Sequence, residues 1–418
     1  MANDMGDETA NDKGNDKSND KSNRAAARFG GVGKSATYAV FDMVAQLRAQ
    51  GVDVLDLGGG EPDFDTPAHV VDEAVGALRE GFTHYTPSRG LPELLDAIAE
   101  KLAKDNNITV DAATDIVVTP SAKHALFAAL VTVLDPGDEL LVPTPSWVSY
   151  TAMARLIGAH PVQIGLDAAN GFRITRELLE AHVSPRTKAL LVNSPNNPTG
   201  HCLTHEEARA ISQFAAEHDV LLVADEIYEK ILYDGREHLS LGALPCCADR
   251  TLTVNGFSKG YAMTGWRLGY AAGPTDLMEQ LLKVAQHTVG CTGSFVQRGG
   301  VAALRGPQDP VREMHEQYAH RRDLTIRGLN SLPGVVCSPP DGAFYAFADI
   351  RGTGFTDAAS FAQWVLERAG VALMPGSAFG PGGEGFVRVS FATSPDILET
   401  ALERMGRALA ERDGVPPV

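Results

Sequence analysis

Lys259 stands in a run of small and polar residues, Gly256-Phe257-Ser258-Lys259-Gly260-Tyr261-Ala262-Met263-Thr264-Gly265-Trp266-Arg267-Leu268-Gly269, directly after the apolar stretch Thr251–Val254. A lysine so placed can form a Schiff base with a carbonyl group. It must first shed its proton, which requires partial desolvation or neighbouring cations. Small neighbours leave room for a flat group. Ser258 and Arg267 suit a phosphate dianion, the arginine giving a planar, paired grip. A lone lysine after a strand is most often an ordinary surface cation. The fourteen-residue context points to chemistry instead.

Other chemistry-bearing residues recur at the ends of apolar runs. Asp225 closes Val220–Ala224 in Ala-Asp-Glu-Ile-Tyr, where the plain reading is the N-cap of a following helix. Asn193-Ser194-Pro195-Asn196-Asn197-Pro198-Thr199-Gly200 follows Lys188–Val192 and makes at least a rigid turn. Ser121-Ala122-Lys123 lies between a strand and a helix, and backbone N–H groups at a helix N-terminus bind phosphate. Arg388 lies on Phe386-Val-Arg-Val-Ser390, where alternation puts it on the face of Phe386 and Ser390.

The lysine segment matches without a gap the lysine signature of class I aminotransferases. The chain resembles that family of fold type I enzymes, which use pyridoxal 5'-phosphate (PLP), from about residue 30 to residue 413. It is most similar to the bacterial aspartate aminotransferase subgroup, which also includes aspartate/prephenate enzymes. The resemblance implies that Lys259 carries PLP and that Asp225 pairs with the ring nitrogen, making the ring an electron sink. It puts Tyr228 and Asn197 on the phenolic oxygen and Trp147 against the ring face, although a lone tryptophan is more often simply buried. Ser121, Ala122, Lys123, Ser258 and Arg267 would surround the phosphate, joined by Tyr85 of the neighbouring subunit. Gly60 would contact the substrate through its backbone, and Arg388 would clamp the substrate α-carboxylate. Lys123, with Ser35 and Thr37 of the other subunit, would hold a side-chain carboxylate. The implied assembly is a homodimer with shared active sites.

The implied reaction is ping-pong transfer of an amino group from L-aspartate or L-glutamate to 2-oxoglutarate or oxaloacetate. Two departures bear on substrate. Gly33-Lys34 precede Ser35, a one-residue shift of the subgroup's lysine that counts against prephenate. Gln286–Gly293 differs from the usual hydroxyl-rich run, and Val289 and Cys291 suggest a more apolar pocket. Aromatic amino acids as donors, or a β-lyase on the same fold, are the alternatives. A PLP-fold regulator would need a DNA-binding module, which the polar N-terminus does not provide.

These residues must be held by a larger frame. Short apolar runs at Ile116–Val118, Glu139–Val142, Lys188–Val192 and Val220–Ala224 alternate with helical stretches such as His124–Leu134 and Thr204–His218. The alternation predicts an α/β fold with a mostly parallel sheet, ligands sitting beyond its carboxyl ends. Pro143 is expected to stop the second strand. The expected organisation is a disordered polar tail over 1–28, an arm and helix over 29–65 joining the small domain, a large PLP-binding domain over 66–297, and a smaller α+β domain over 298–418. Gly30–Ser35 is not a phosphate-binding P-loop, because Arg28 stands where the first glycine belongs. The chain has 418 residues and a net charge of −17, which argues against nucleic acid as a partner. No apolar run reaches membrane-spanning length, no metal-ligand spacing stands out, and the five cysteines read as free thiols of a cytoplasmic protein.

Overall fold

The computed structural model describes residues 25–33 and 36–413. Of the polar tract expected to be disordered, residues 1–24 lie outside the described residues. Its last residues depart from that expectation: Ala27–Gly31 form a 3₁₀ turn closed by the Val32 N–H on the Phe29 carbonyl, beside the Ser149–Ile157 helix.

Twelve strands occur among the described residues: β1 (Leu55–Asp56), β2 (Ile116–Thr119), β3 (Glu139–Thr144), β4 (His160–Gly165), β5 (Thr187–Asn193), β6 (Leu221–Asp225), β7 (Thr251–Gly256), β8 (Gly269–Ala272), β9 (Tyr345–Asp349), β10 (Val371–Ala372), β11 (Met374–Pro375) and β12 (Phe386–Ser390). Seven of them form one sheet in the order β2-β8-β7-β6-β5-β3-β4. All run in parallel except β8, which is antiparallel to both neighbours. β2, β3 and most of β5 and β6 are buried along their length, as a sheet covered by helices on both faces requires. One face packs Val142, Leu191 and Val223 under the Ala122–Val133 and Thr275–Thr288 helices. The other packs Leu141, Leu190 and Leu222 against Ile211 and Phe214 of the His205–Glu217 helix.

Pro143 does not end β3, which runs through it to Thr144. The Thr144 carbonyl bonds toward β4, so the imino nitrogen of Pro143 faces β5. The β3–β5 pairing has already stopped at Leu141↔Leu190, so no ladder bond is lost.

β9, β11 and β12 make a second, antiparallel sheet with β12 in the middle. It packs with the Asp309–Asn330, Ala358–Ala369 and Pro395–Asp413 helices around Tyr318, Phe344, Phe361 and Phe391. β1 pairs with β10, tying the N-terminal arm to this unit. The boundary expected after residue 297 falls inside the Ser294–Arg305 helix. That helix packs on Ala68–Arg79 and Pro92–Asp105, so it belongs with the large domain.

The segment before β9 is stitched to the large domain. Gly342 N–H donates to the Gly200 carbonyl, Ala343 N–H to Ile231, and the Tyr233 hydroxyl to Ala343. A Cβ on Gly200 would lie 2.3 Å from Pro340 Cβ, so only glycine admits this approach. His201 sits in the same seam, 2.9 Å from both Glu207 carboxylate oxygens and 3.5 Å from Asp341. Burial works against a charged ring, but hydrogen bonds that the ring donates to the Asp341 and Glu207 carboxylates overcome it and push its pKa up to about 9. The folded value lies above the ordinary 6.5. The stabilisation is therefore complete below the unfolded pKa and disappears as pH rises through about 9. His201→Asn is expected to cost on the order of 3 kcal/mol near pH 6 and almost nothing near pH 10. Urea melts of both proteins across that range check this. A gap that stays constant with pH would refute it.

Candidate active site

A cavity of about 540 Å³ opens at the carboxyl ends of β2, β3, β5, β6 and β7. Each of these strands delivers a polar group: Ser121 to Lys123 after β2, Trp147 after β3, Asn193 and Asn197 after β5, Asp225 on β6, and Ser258 with Lys259 after β7. Gly60, Tyr345 and Arg388 close the far side from the arm and the small domain.

Lys259 is half-buried at the cavity wall, and its Nζ donates to the Gly60 carbonyl at 2.5 Å. Burial lowers the ammonium pKa to about 8; Glu61 opposes this, while Arg388, Arg267 and Lys123 add to it. The amine is therefore substantially neutral near pH 8. Asp225 does not cap a helix, because a turn and not a helix follows it. It is buried, accepting from the Tyr150 hydroxyl at 2.6 Å and from the Ile227 N–H at 3.2 Å. Burial raises its pKa to about 6, and those two bonds restrain the rise. A buried carboxylate facing a cavity favours a cation opposite it.

Arg388 is almost fully buried on β12, with 1% of its surface exposed. Nη1 donates to Asn197 Oδ1 at 2.8 Å and Nη2 to the Gly58 carbonyl at 2.6 Å. Its Nε has no hydrogen-bond partner, and no carboxylate is hydrogen-bonded to the guanidinium among the described residues. Burying an unpaired charge is costly, so this guanidinium is arranged for an incoming anion. The Tyr345 ring lies under it, 4.3 Å from Cζ to centroid, and the Tyr345 hydroxyl is 2.8 Å from that of Tyr228.

At the other end, Ser121 adopts φ +98° and caps the Ala122–Val133 helix through Oγ on the His124 N–H. β8 begins directly behind this turn. A Cβ on Gly269 would lie 2.2 Å from Ala122 N, so glycine is required for the approach. Arg267 and Ser258 stand on the same wall, and Arg267 is tethered through Nη1 to the Thr264 carbonyl. Lys123 Nζ lies 4.9 Å from the Trp147 ring.

The cavity thus gathers Gly60, Ser121, Ala122, Lys123, Trp147, Asn197, Asp225, Tyr228, Ser258, Lys259, Arg267 and Arg388. It does not gather Tyr85, which is 96% exposed. Ser35 lies outside the described residues, and Thr37 is described only through its backbone in the Ala36–Ala49 helix. Val289 and Cys291 do not line the cavity either, and Val289 is exposed, so the more apolar pocket expected from them is not formed within this chain. Sequence reading missed Phe41, Tyr150, Asn193 and Tyr345. Asn193 belongs to the Asn-Ser-Pro-Asn-Asn-Pro-Thr-Gly octet and was within reach. The other three carry no local signal.

Residues 52–405 match the family described as aminotransferase class I and II. The chain belongs to that family. It is 49% identical to the aspartate aminotransferase of Musicola paradisiaca (strain Ech703), over 91% of this chain and 96% of the relative. Among solved structures it is similar to the aspartate aminotransferase from Thermus thermophilus with maleate, at TM-score 0.88 and 42% identity, over 92% of this chain and 99% of that one. It is also similar to the aromatic aminotransferase from Pyrococcus horikoshii OT3, at TM-score 0.85 and 43% identity, over 89% of this chain and all of that one. This aminotransferase is a PLP-dependent enzyme acting on amino acids and 2-oxo acids. Its cavity fits the cofactor on physical grounds. The buried Asp225 suits a cationic ring nitrogen, the depressed Lys259 suits an aldehyde carbon, and the Ser121–Arg267 wall suits a phosphate. No helix among the described residues is long and apolar enough to cross a membrane.

Proposed function

We propose that this aminotransferase takes L-aspartate or L-glutamate as donor and 2-oxoglutarate or oxaloacetate as acceptor in a ping-pong cycle. The observation that carries this reading is Arg388, a buried cation whose Nε is unpartnered and to which no carboxylate is hydrogen-bonded among the described residues, in one cavity with a second cation, Lys123. Two cations at two walls suit a substrate with two carboxylates. The maleate in the Thermus structure, itself a dicarboxylate, supports this reading.

PLP supplies an electron sink for negative charge at the substrate Cα. Asp225 would hold the ring nitrogen cationic, and Tyr150 fixes the Asp225 carboxylate. Ser121, Ser258, Arg267 and the backbone of Ala122 and Lys123 would bind the phosphate, leaving the Lys123 side chain for the second carboxylate, while Trp147 would cover the ring. Tyr228 and Asn197 would donate to the phenolic oxygen. Arg388 grips the α-carboxylate beside Gly60, held in place by Asn197 Oδ1 and the Gly58 carbonyl. That grip would orient the Cα–H bond for transfer of its proton to Lys259. Lys259 Nζ then takes the Cα proton as general base and returns it as general acid, a role its depressed pKa suits.

We place the enzyme in a cytoplasmic homodimer. The almost fully exposed Tyr85 is a large aromatic left outside every core of the described residues, which supports its burial against a second copy. Five free cysteines support the reducing compartment.

The test is the visible absorbance of the PLP-loaded enzyme. L-Aspartate without any 2-oxo acid is expected to abolish the band, and 2-oxoglutarate to restore it. A band unmoved by aspartate but moved by another amino acid would overturn the dicarboxylate reading. L-Phenylalanine belongs in the same titration, because Phe41, Leu126, Ile227 and Tyr345 give the cavity apolar wall.

A further inference from the structure

Behind Asp225 and Tyr228, on the side away from the cavity, lies a buried polar cluster that the reaction does not use. The turn after β6 alternates: Asp225, Ile227 and Tyr228 line the cavity, while Glu226 and Glu229 are buried on its other side. Lys101, near the end of the Pro92–Asp105 helix, is ion-paired with Glu229, and its Nζ donates to Asn106 Oδ1 at 2.6 Å. Asn106 Nδ2 donates to Glu229 Oε2 at 2.8 Å and to Glu226 Oε2 at 3.0 Å. Ser240 Oγ donates to the same Glu226 oxygen at 2.7 Å. His238 Nε2 lies 2.9 Å from Glu226 Oε2 but off the line of a hydrogen bond.

Lys101, Asn106, Glu226, Glu229 and Ser240 are each at most 8% exposed. Burying two carboxylates and an ammonium is costly unless every charge is compensated. Here the Lys101 ammonium meets Glu229, hydrogen bonds from Asn106 and Ser240 meet Glu226, and these contacts converge on one four-residue turn. Glu226, Glu229 and His238 could hold a metal ion by geometry, with ligand atoms within 4.8 Å of one another. The Lys101 ammonium already supplies a cation there, so a divalent ion would meet a like charge.

We infer that Lys101 and Asn106 are positioning residues: they pin Glu226 and Glu229 from behind and thereby hold Asp225 and Tyr228 at the angle at which they meet the cofactor. This rests on the reading that Asp225 and Tyr228 face PLP. Charge supports the same link. Burial would raise the pKa of Glu229, but Lys101, with His238 and Lys230, brings it down to about 2. Glu226 is in turn among the charges that raise that of Asp225. Removing Lys101 takes away the ion-pair partner of Glu229 and the anchor of Asn106 Oδ1, which loosens the hold on the turn from behind.

The experiment titrates PLP into apo forms of wild type, Lys101→Met, Glu226→Gln and Asp225→Asn, recording the dissociation constant, the visible band of the bound cofactor and the melting temperature. Lys101→Met and Glu226→Gln are expected to weaken PLP binding about tenfold and to shift the band toward that of Asp225→Asn. Glu226→Gln keeps the shape of the side chain and decides the matter alone if Lys101→Met does not fold. A lowered melting temperature with band and dissociation constant within twofold of wild type would make the cluster merely structural and overturn the inference. If Asp225→Asn itself leaves both unchanged, the site reading fails and takes the inference with it.

Discussion

Lys259→Ala is expected to lower the turnover of L-aspartate by at least about 10⁴-fold while leaving the fold intact. Two functions are lost together, since the same nitrogen attaches to the cofactor and carries the Cα proton. Stability should scarcely change. Among the described residues the Lys259 side chain donates one hydrogen bond, to the Gly60 carbonyl, and partial burial holds its amine against its own solvation preference, lowering its pKa to about 8. Removing it relieves a buried cation facing Arg388, Arg267 and Lys123. Steady-state kinetics with circular dichroism and a thermal melt check both halves. Wild-type turnover in this variant would sink the assignment of the site.

Arg388→Leu is expected to lower kcat/KM for L-aspartate by about two to three orders of magnitude, with PLP affinity unchanged. Truncating one partner of a buried, hydrogen-bonded charge pair costs about 2–5 kcal/mol, and each 1.4 kcal/mol is a factor of ten. Arg388→Lys should recover little. A point charge cannot hold Asn197 and Gly58 and still present a planar fork to a carboxylate. The split is diagnostic: the phosphate wall and Asp225 bind the cofactor without Arg388. Parallel measurement of PLP dissociation and donor kinetics reads it. An unchanged kcat/KM, or an equal loss of PLP affinity, would contradict the clamp.

Much of the site was legible because its residues come in short contiguous blocks at strand ends. The Gly256–Gly269 segment, the 193–200 octet, Ser121–Lys123 and the Ala-Asp-Glu-Ile-Tyr turn each carry local constraints that appear as residue types in order. Apolar runs marked β2, β3, β5 and β6 because a strand covered on both faces has no polar side to show. β8 was missed: Gly269–Ala272 is small-residue chain wedged between β7 and β2, with little pattern of its own. Pro143 misled because proline was read without its register. Whether a missing N–H matters depends on which neighbour it faces, and that is a property of the sheet.

The sequence by itself determined the family, the lysine, the carboxylate and the small-residue walls, because these are demands on residue identity. Tertiary structure alone decided the partners that reach them across distance. Tyr150 comes from the helix after β3 to bond Asp225, Tyr345 comes from β9 to lie under Arg388, and Lys101 comes from the Pro92–Asp105 helix to pair with Glu229. Each of these contacts joins residues separated by dozens of positions or more, and nothing local distinguishes such a tyrosine or lysine from one that fills a core or faces water. The depressed Lys259 and the unpartnered Nε of Arg388 likewise follow from burial, which the folded chain imposes and a linear string does not record.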